Sequence, residues 1–78
     1  MFLSEGEIGN IYIIINIELD MKIKRRLEII GLTNRTKVEI LNKNMNGSLI
    51  IKIRGTRFAI SKRISKGIEV ALWKIILT

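Results

Sequence analysis

Residues 25–40 constrain this chain more than any other stretch. They read Arg-Arg-Leu-Glu-Ile-Ile-Gly-Leu-Thr-Asn-Arg-Thr-Lys-Val-Glu-Ile: the end of an amphipathic helix, a glycine stop, a tight loop and the start of a strand. Leu19, Ile23, Leu27 and Ile30 recur at helical spacing and share one face, with Lys22, Lys24, Arg25 and Glu28 lying away from it. Gly31 follows the last apolar residue, where a left-handed residue ends a helix and a Cβ would be strained. Val38 and Ile40 then alternate with Lys37 and Glu39, the period of a half-buried strand. The pattern predicts one helix over residues 19–30, with Asp20 as its N-cap and Asn16 as competitor. A helix this short is marginal in water by itself. It has to dock, and the rest of the chain offers only β-structure to dock on.

Five short strands follow from alternation and turn signals. Residues 9–17 form the first, with Ile11, Ile13, Ile15 and Ile17 on one face and Tyr12, Ile14 and Asn16 on the other. Apolar residues on both faces imply cover on both sides. Residues 37–42 form the second. Asn46-Gly47 is a strong hairpin signal and leads into the third, residues 48–54, with Leu49, Ile51 and Ile53 on one face. Gly55-Thr56 is read as a second tight turn, and residues 57–60 as the fourth strand, with Phe58 and Ile60 inward. Residues 61–66 fit a single helical turn capped by Ser61 and ended by Gly67. Ile68 and Val70 open the fifth strand, which the pattern extends as far as Leu77. A small antiparallel sheet avoids exposed edges by curling up. The expected fold is therefore mainly β: a small SH3-like barrel of about five strands, one helix inserted between the first two and a short helical turn before the last. It fills one domain, residues 1–78, with residues 71–78 as an apolar C-terminal extension.

Composition then excludes whole classes of chemistry. The chain has no cysteine and no histidine, so thiolate metal sites and Ser-His or Cys-His nucleophilic catalysis are ruled out. There is no phosphate-binding loop of the Walker type. Asp20 is the sole aspartate, and Glu5, Glu7, Glu18, Glu28, Glu39 and Glu69 are scattered. Glu5 with Glu7 is the only candidate for a weak oxygen-ligand metal site, and solvated lead-in carboxylates are the simpler reading of that pair. No catalytic residue, cofactor or metal ligand is assigned, and the chain is expected not to be an enzyme. The net charge of +7 favours acidic partners: nucleic acid, an anionic membrane face or an acidic protein. The basic residues cluster in residues 22–26, 52–57 and 62–66. No secretory signal pattern is visible in residues 1–7 and no apolar run approaches membrane-spanning length, so a cytoplasmic location is expected.

Leu3 with Gly6 and Gly9, Arg26-Leu27, Gly31-Leu32-Thr33, Val38 with Ile40, Gly47, Gly55 and Gly67-Ile68-Glu69-Val70 occur in an order and spacing that resembles the ferrous iron transport protein A (FeoA) family. The resemblance runs from Leu3 to about Val70. It implies an SH3-like barrel, which in that family also occurs fused behind metal-dependent repressors. It also implies an accessory role in bacterial ferrous iron uptake. The accessory protein acts by protein–protein interaction on a membrane iron transporter with a cytoplasmic GTP-binding domain, at the inner face of the membrane, without catalysis of its own. The chain departs from the family pattern at Asn34-Arg35, where Pro-Gly is common, and at Ile60-Ser61, where Leu-Arg is common.

The candidate interaction residues are Arg25, Arg26, Arg35, Arg54, Arg57 and Trp73. The alternative function is a basic small-barrel nucleic-acid-binding module. Such modules stack bases on aromatic side chains, and Tyr12 and Trp73 are the aromatics expected to be exposed. The alternating tail places Leu72, Lys74 and Ile76 on one face and Ala71, Trp73, Ile75 and Leu77 on the other. One barrel buries only one such face, so the tail is expected to pair subunits into a homodimer or small closed oligomer with Trp73 at the contact.

Overall fold

The computed structural model describes residues 1–73; residues 74–78 lie outside what it describes. Five strands, β1 (Ile11–Ile17), β2 (Lys37–Lys43), β3 (Leu49–Ile53), β4 (Thr56–Ile60) and β5 (Ile68–Leu72), form one antiparallel sheet in the order β4-β3-β2-β1-β5. Helix α1 (Met21–Ile29) lies between β1 and β2, and the short helix α2 (Lys62–Ser65) precedes β5. The SH3-like arrangement matches the expectation, but the sheet is not closed: β4 and β5 are its two ends. The chain's own lead covers part of the β5 edge. Phe2 bridges Glu69, and the Val70 amide donates to the Met1 carbonyl at 2.8 Å.

Local sequence explains α1. The Asp20 carboxylate accepts the Ile23 amide at 3.0 Å and caps the first turn, which leaves Asn16 in β1. At the other end Gly31 takes φ +90°, the Leu32 amide donates to the Leu27 carbonyl at 2.8 Å and the Gly31 amide donates to Glu28 at 3.0 Å. This paired closure needs a left-handed residue and brings Leu27 and Leu32, both buried, to the same turn. Leu19, Ile23 and Ile30 pack against the core from the same face. Ser61 caps α2 as expected, accepting the Ile64 amide at 3.3 Å.

The core is built from Leu3, Tyr12, Ile14, Ile17, Leu27, Leu32, Val38, Ile40, Leu49, Ile51, Ile53, Ile60, Ile68 and Val70. One side of the sheet supplies most of it. Two bulges alter the simple alternation. The pairing of β1 with β5 slips between Ile14 and Asn16, so Ile15 is the extra residue and is half exposed, while Ile17 turns inward. Ile17 therefore joins Tyr12 and Ile14, not Ile11 and Ile13, which corrects the expected face assignment. A second slip between Ile40 and Asn42 frees Leu41 from direct pairing.

Two other expectations are corrected. Tyr12 is not exposed: it retains 2% of its surface, and its hydroxyl accepts the Glu7 amide at 2.8 Å. The β3–β4 turn is Arg54-Gly55, not Gly55-Thr56. Ile53 pairs with Thr56, and both central residues have positive φ, +50° and +84°. The expected run of β5 to Leu77 falls in part on residues 74–78, outside the described residues.

Candidate interaction surface

Strand register assembles a basic face on the side of the sheet turned away from the core. Directly opposite residues on antiparallel strands share a face. Arg57 of β4 stands opposite Lys52 of β3, Lys52 opposite Glu39 of β2, and Glu39 opposite Ile11 of β1. The next row pairs Lys37 with Ile13, and Ile13 with Ala71 of β5. Beyond Leu72 the Trp73 amide donates to the Ile11 carbonyl at 2.9 Å, which fixes the backbone of Trp73 beside the first row. The Lys37 ammonium lies over the Trp73 ring, 4.1 Å from its centroid, a cation–π contact. The indole Nε1 is buried and meets no acceptor among the described residues.

Two shallow concavities open on this face. One, of about 180 Å³, is lined by Ile11, Lys37, Glu39, Lys52, Arg54 and Gly55. The other, of about 400 Å³, is lined by Arg35, Thr36, Lys37 and Arg54. Lys37 and Arg54 belong to both, so the two form one continuous surface. Arg35 reaches it through the loop after α1. Its amide donates to the Ile14 carbonyl at 2.7 Å, and the Thr36 carbonyl accepts the Ile14 amide at 3.0 Å. The buried Thr36 hydroxyl donates to the Gly31 carbonyl at 3.2 Å. These bonds hold Arg35 at φ +70°. At this φ a glycine would be unstrained, so arginine is not what the backbone favours here.

The structure thus brings Arg35, Arg54, Arg57 and Trp73 to one side of the sheet. Arg25 and Arg26 are exposed on α1 and line neither concavity. A third concavity, of about 290 Å³, lies between α1 and the following loop, lined by Ile17, Lys24, Glu28, Thr33 and Asn34. Lys37 and Lys52 complete the basic face: Lys52 opens the basic cluster 52–57 visible in the sequence, whereas Lys37 reads there only as the solvent side of an alternating strand. Counting outward from the β2–β3 hairpin would set Ile40 opposite Lys52; the slip between Ile40 and Asn42 is what brings Glu39 opposite Lys52.

Among the described residues no group of three or more Asp or Glu side chains is placed to hold a metal ion. Glu5 instead accepts the Phe2 amide at 2.8 Å, closing the 3-10 turn Leu3–Glu5. No helix among the described residues is long and apolar enough to cross a membrane.

Solved structures with this fold are similar along almost the whole chain. A crystal structure of an iron uptake regulatory protein (FeoA) is 30% identical, with a TM-score of 0.86, covering 94% of this chain and 97% of that one. The zinc complex of Stenotrophomonas maltophilia FeoA, described as a prokaryotic SH3-domain protein and a candidate ferrous iron transport activating factor, is 26% identical. Its TM-score is 0.77, over 91% of this chain and 89% of that one. The solution structure of Chlorobium tepidum FeoA has a TM-score of 0.88 at 23% identity, over 95% of this chain and 71% of that one, and at that identity shows the shared fold alone. No curated protein matches by sequence. The FeoA domain family model matches residues 1–72, and with the open SH3-like sheet and its capped inserted helix this places the chain in the FeoA domain family.

Proposed function

We propose that the chain is a cytoplasmic accessory factor of bacterial ferrous iron uptake. It acts by contact with the GTP-binding domain of a membrane iron transporter. The observation that carries this reading is the family match over residues 1–72. The similar structures described as an iron uptake regulatory protein and a candidate transport activating factor support it. The absence of histidine and cysteine fits action on a transporter better than carriage of the ion. Arg25, Arg26, Arg35, Arg54, Arg57 and Trp73 are the proposed contact residues.

The test is a pull-down of the transporter's cytoplasmic domain from the same genome, paired with ferrous iron uptake in a deletion strain. Loss of capture and unchanged uptake together would refute the reading. Pairing of subunits through the C-terminal tail belongs to the same proposal, and light scattering of the intact chain at tens of micromolar measures it: a monomer there rejects it.

A further inference from the structure

We propose that the outer sheet face around Arg35, Lys37, Lys52 and Arg54 is a docking surface for an acidic polypeptide segment. This deepens the partner reading above, and rests on it only for which protein supplies the segment.

The first argument is conformational. Arg35 and Arg54 are the non-glycine residues of the described chain with positive φ, at +70° and +50°. Both line the same concavity with Lys37. The fold requires the left-handed backbone at each place: the Arg35 amide is tied to Ile14, and Arg54 is the first central residue of a two-residue hairpin turn. The fold does not require arginine. Asn or Gly meets that conformation with less strain, and both arginine side chains are exposed and add nothing to the core. What the arginines supply is two cationic heads projected from pinned backbone over a shallow basic concavity.

The second argument concerns the ligand. Lys37 and Lys52 join the two arginines, with Glu39 and half-buried Ile11 between them. A net positive surface with one internal carboxylate and an apolar floor is complementary to a protein strand bearing several carboxylates and one basic residue. A nucleic-acid strand fits less well. Its bases lack a stacking platform: Tyr12 is buried, and the Trp73 ring already carries the Lys37 ammonium at 4.1 Å.

The experiment titrates the full chain with poly-L-glutamate and, separately, with poly-U RNA, at low and raised salt. Trp73, the single tryptophan, provides the fluorescence signal. The double variant Arg35→Asn/Arg54→Asn removes two charges while keeping residues that tolerate the left-handed region, and a thermal melt verifies its fold. Lys43→Gln/Lys66→Gln removes the same charge from exposed positions outside the face. The expected result is poly-glutamate binding weakened about tenfold by the arginine pair, roughly threefold per cation, and within about twofold of unchanged in the lysine pair. Equal weakening in both variants overturns the proposal, as does poly-U binding that is tighter and depends on the same arginines. The transporter's cytoplasmic domain separates the two readings. Capture that survives Arg35→Asn/Arg54→Asn sinks this surface and leaves the partner standing. Arginine-dependent poly-glutamate binding without capture of the domain sinks the partner and leaves the surface standing.

Discussion

Two hairpin turns in this sheet do the same job with different residues. The β2–β3 connection carries Asn46-Gly47. The Asn44 amide donates to the Ser48 carbonyl and the Gly47 amide to the Asn44 carbonyl, each at 2.9 Å. Asn46 accepts the Ser48 amide at 3.0 Å and the Ser48 hydroxyl at 2.8 Å, and Gly47 takes φ +89°. Only the glycine is left-handed, so this is a type I turn followed by a bulged glycine. The β3–β4 connection is the tighter two-residue turn, with both central residues left-handed, and its first position is Arg54. The residue pair with the stronger turn signal sits in the less demanding turn. The more demanding turn holds a residue that turn chemistry disfavours. In the first turn the side chains close the loop itself; in the second, Arg54 faces the basic concavities. Turn residues in this protein therefore answer to two different demands, and the backbone angles tell them apart.

Substitutions at the two turns test that contrast. The largest effect is expected from Gly55→Val, since a β-branched residue at φ +84° is strained whatever the space around it. A cost of about 2 kcal/mol lowers the melting temperature by roughly 8–16 °C in a domain of this size. A melting temperature equal to that of the parent would contradict the turn assignment. Gly31→Val probes the same strain at the end of α1, where φ is +90°, with a cost of at least about 1 kcal/mol. Asn46→Ala removes the acceptor of two hydrogen bonds in an exposed loop. A loss of about 1 kcal/mol is expected by urea denaturation, with an unchanged m-value because the surface exposed on unfolding stays the same. The smallest effect has the opposite sign. Arg54→Asn relieves a φ of +50° and should raise stability by about 0.5 kcal/mol. If it destabilises instead, the arginine is held by the fold and the contrast between the turns disappears.

The asymmetry extends to how the interaction surface was legible. Arg35, Arg54, Arg57 and Trp73 were candidates by type, but nothing local to any of them says that they meet. Lys37 and Lys52 stand in alternating strands where a lysine on the solvent side reads as ordinary. They become part of a surface only through the register Glu39↔Lys52 and Ile13↔Lys37. Arg25 and Arg26 were equally basic in the sequence, and the fold leaves them on α1, apart from both concavities.

The sequence by itself determined what short-range chemistry controls. Asp20, Gly31 and Ser61 mark helix ends because capping and left-handed backbone depend on a few consecutive residues. The alternation of Val38 with Ile40, and of Leu49, Ile51 and Ile53, settled the inner face of β2 and β3 because strand period is local. The absence of histidine and cysteine closed off thiolate and imidazole chemistry. Only the tertiary structure decided the rest. Ile17 faces the core because β1 bulges at Ile15 against β5, a strand about fifty residues later in the chain. Tyr12 is buried because the Glu7 amide meets its hydroxyl, so an aromatic ring with a polar tip lies inside at no unpaired cost. Gly67 is needed not for its own angles but because a Cβ there would fall 2.9 Å from the Glu18 carbonyl oxygen and closer still to Leu19. The sheet stays open between β4 and β5, with the chain's first two residues laid along part of the β5 edge. Each of these depends on partners distant in sequence, and residue type alone does not encode which partner arrives.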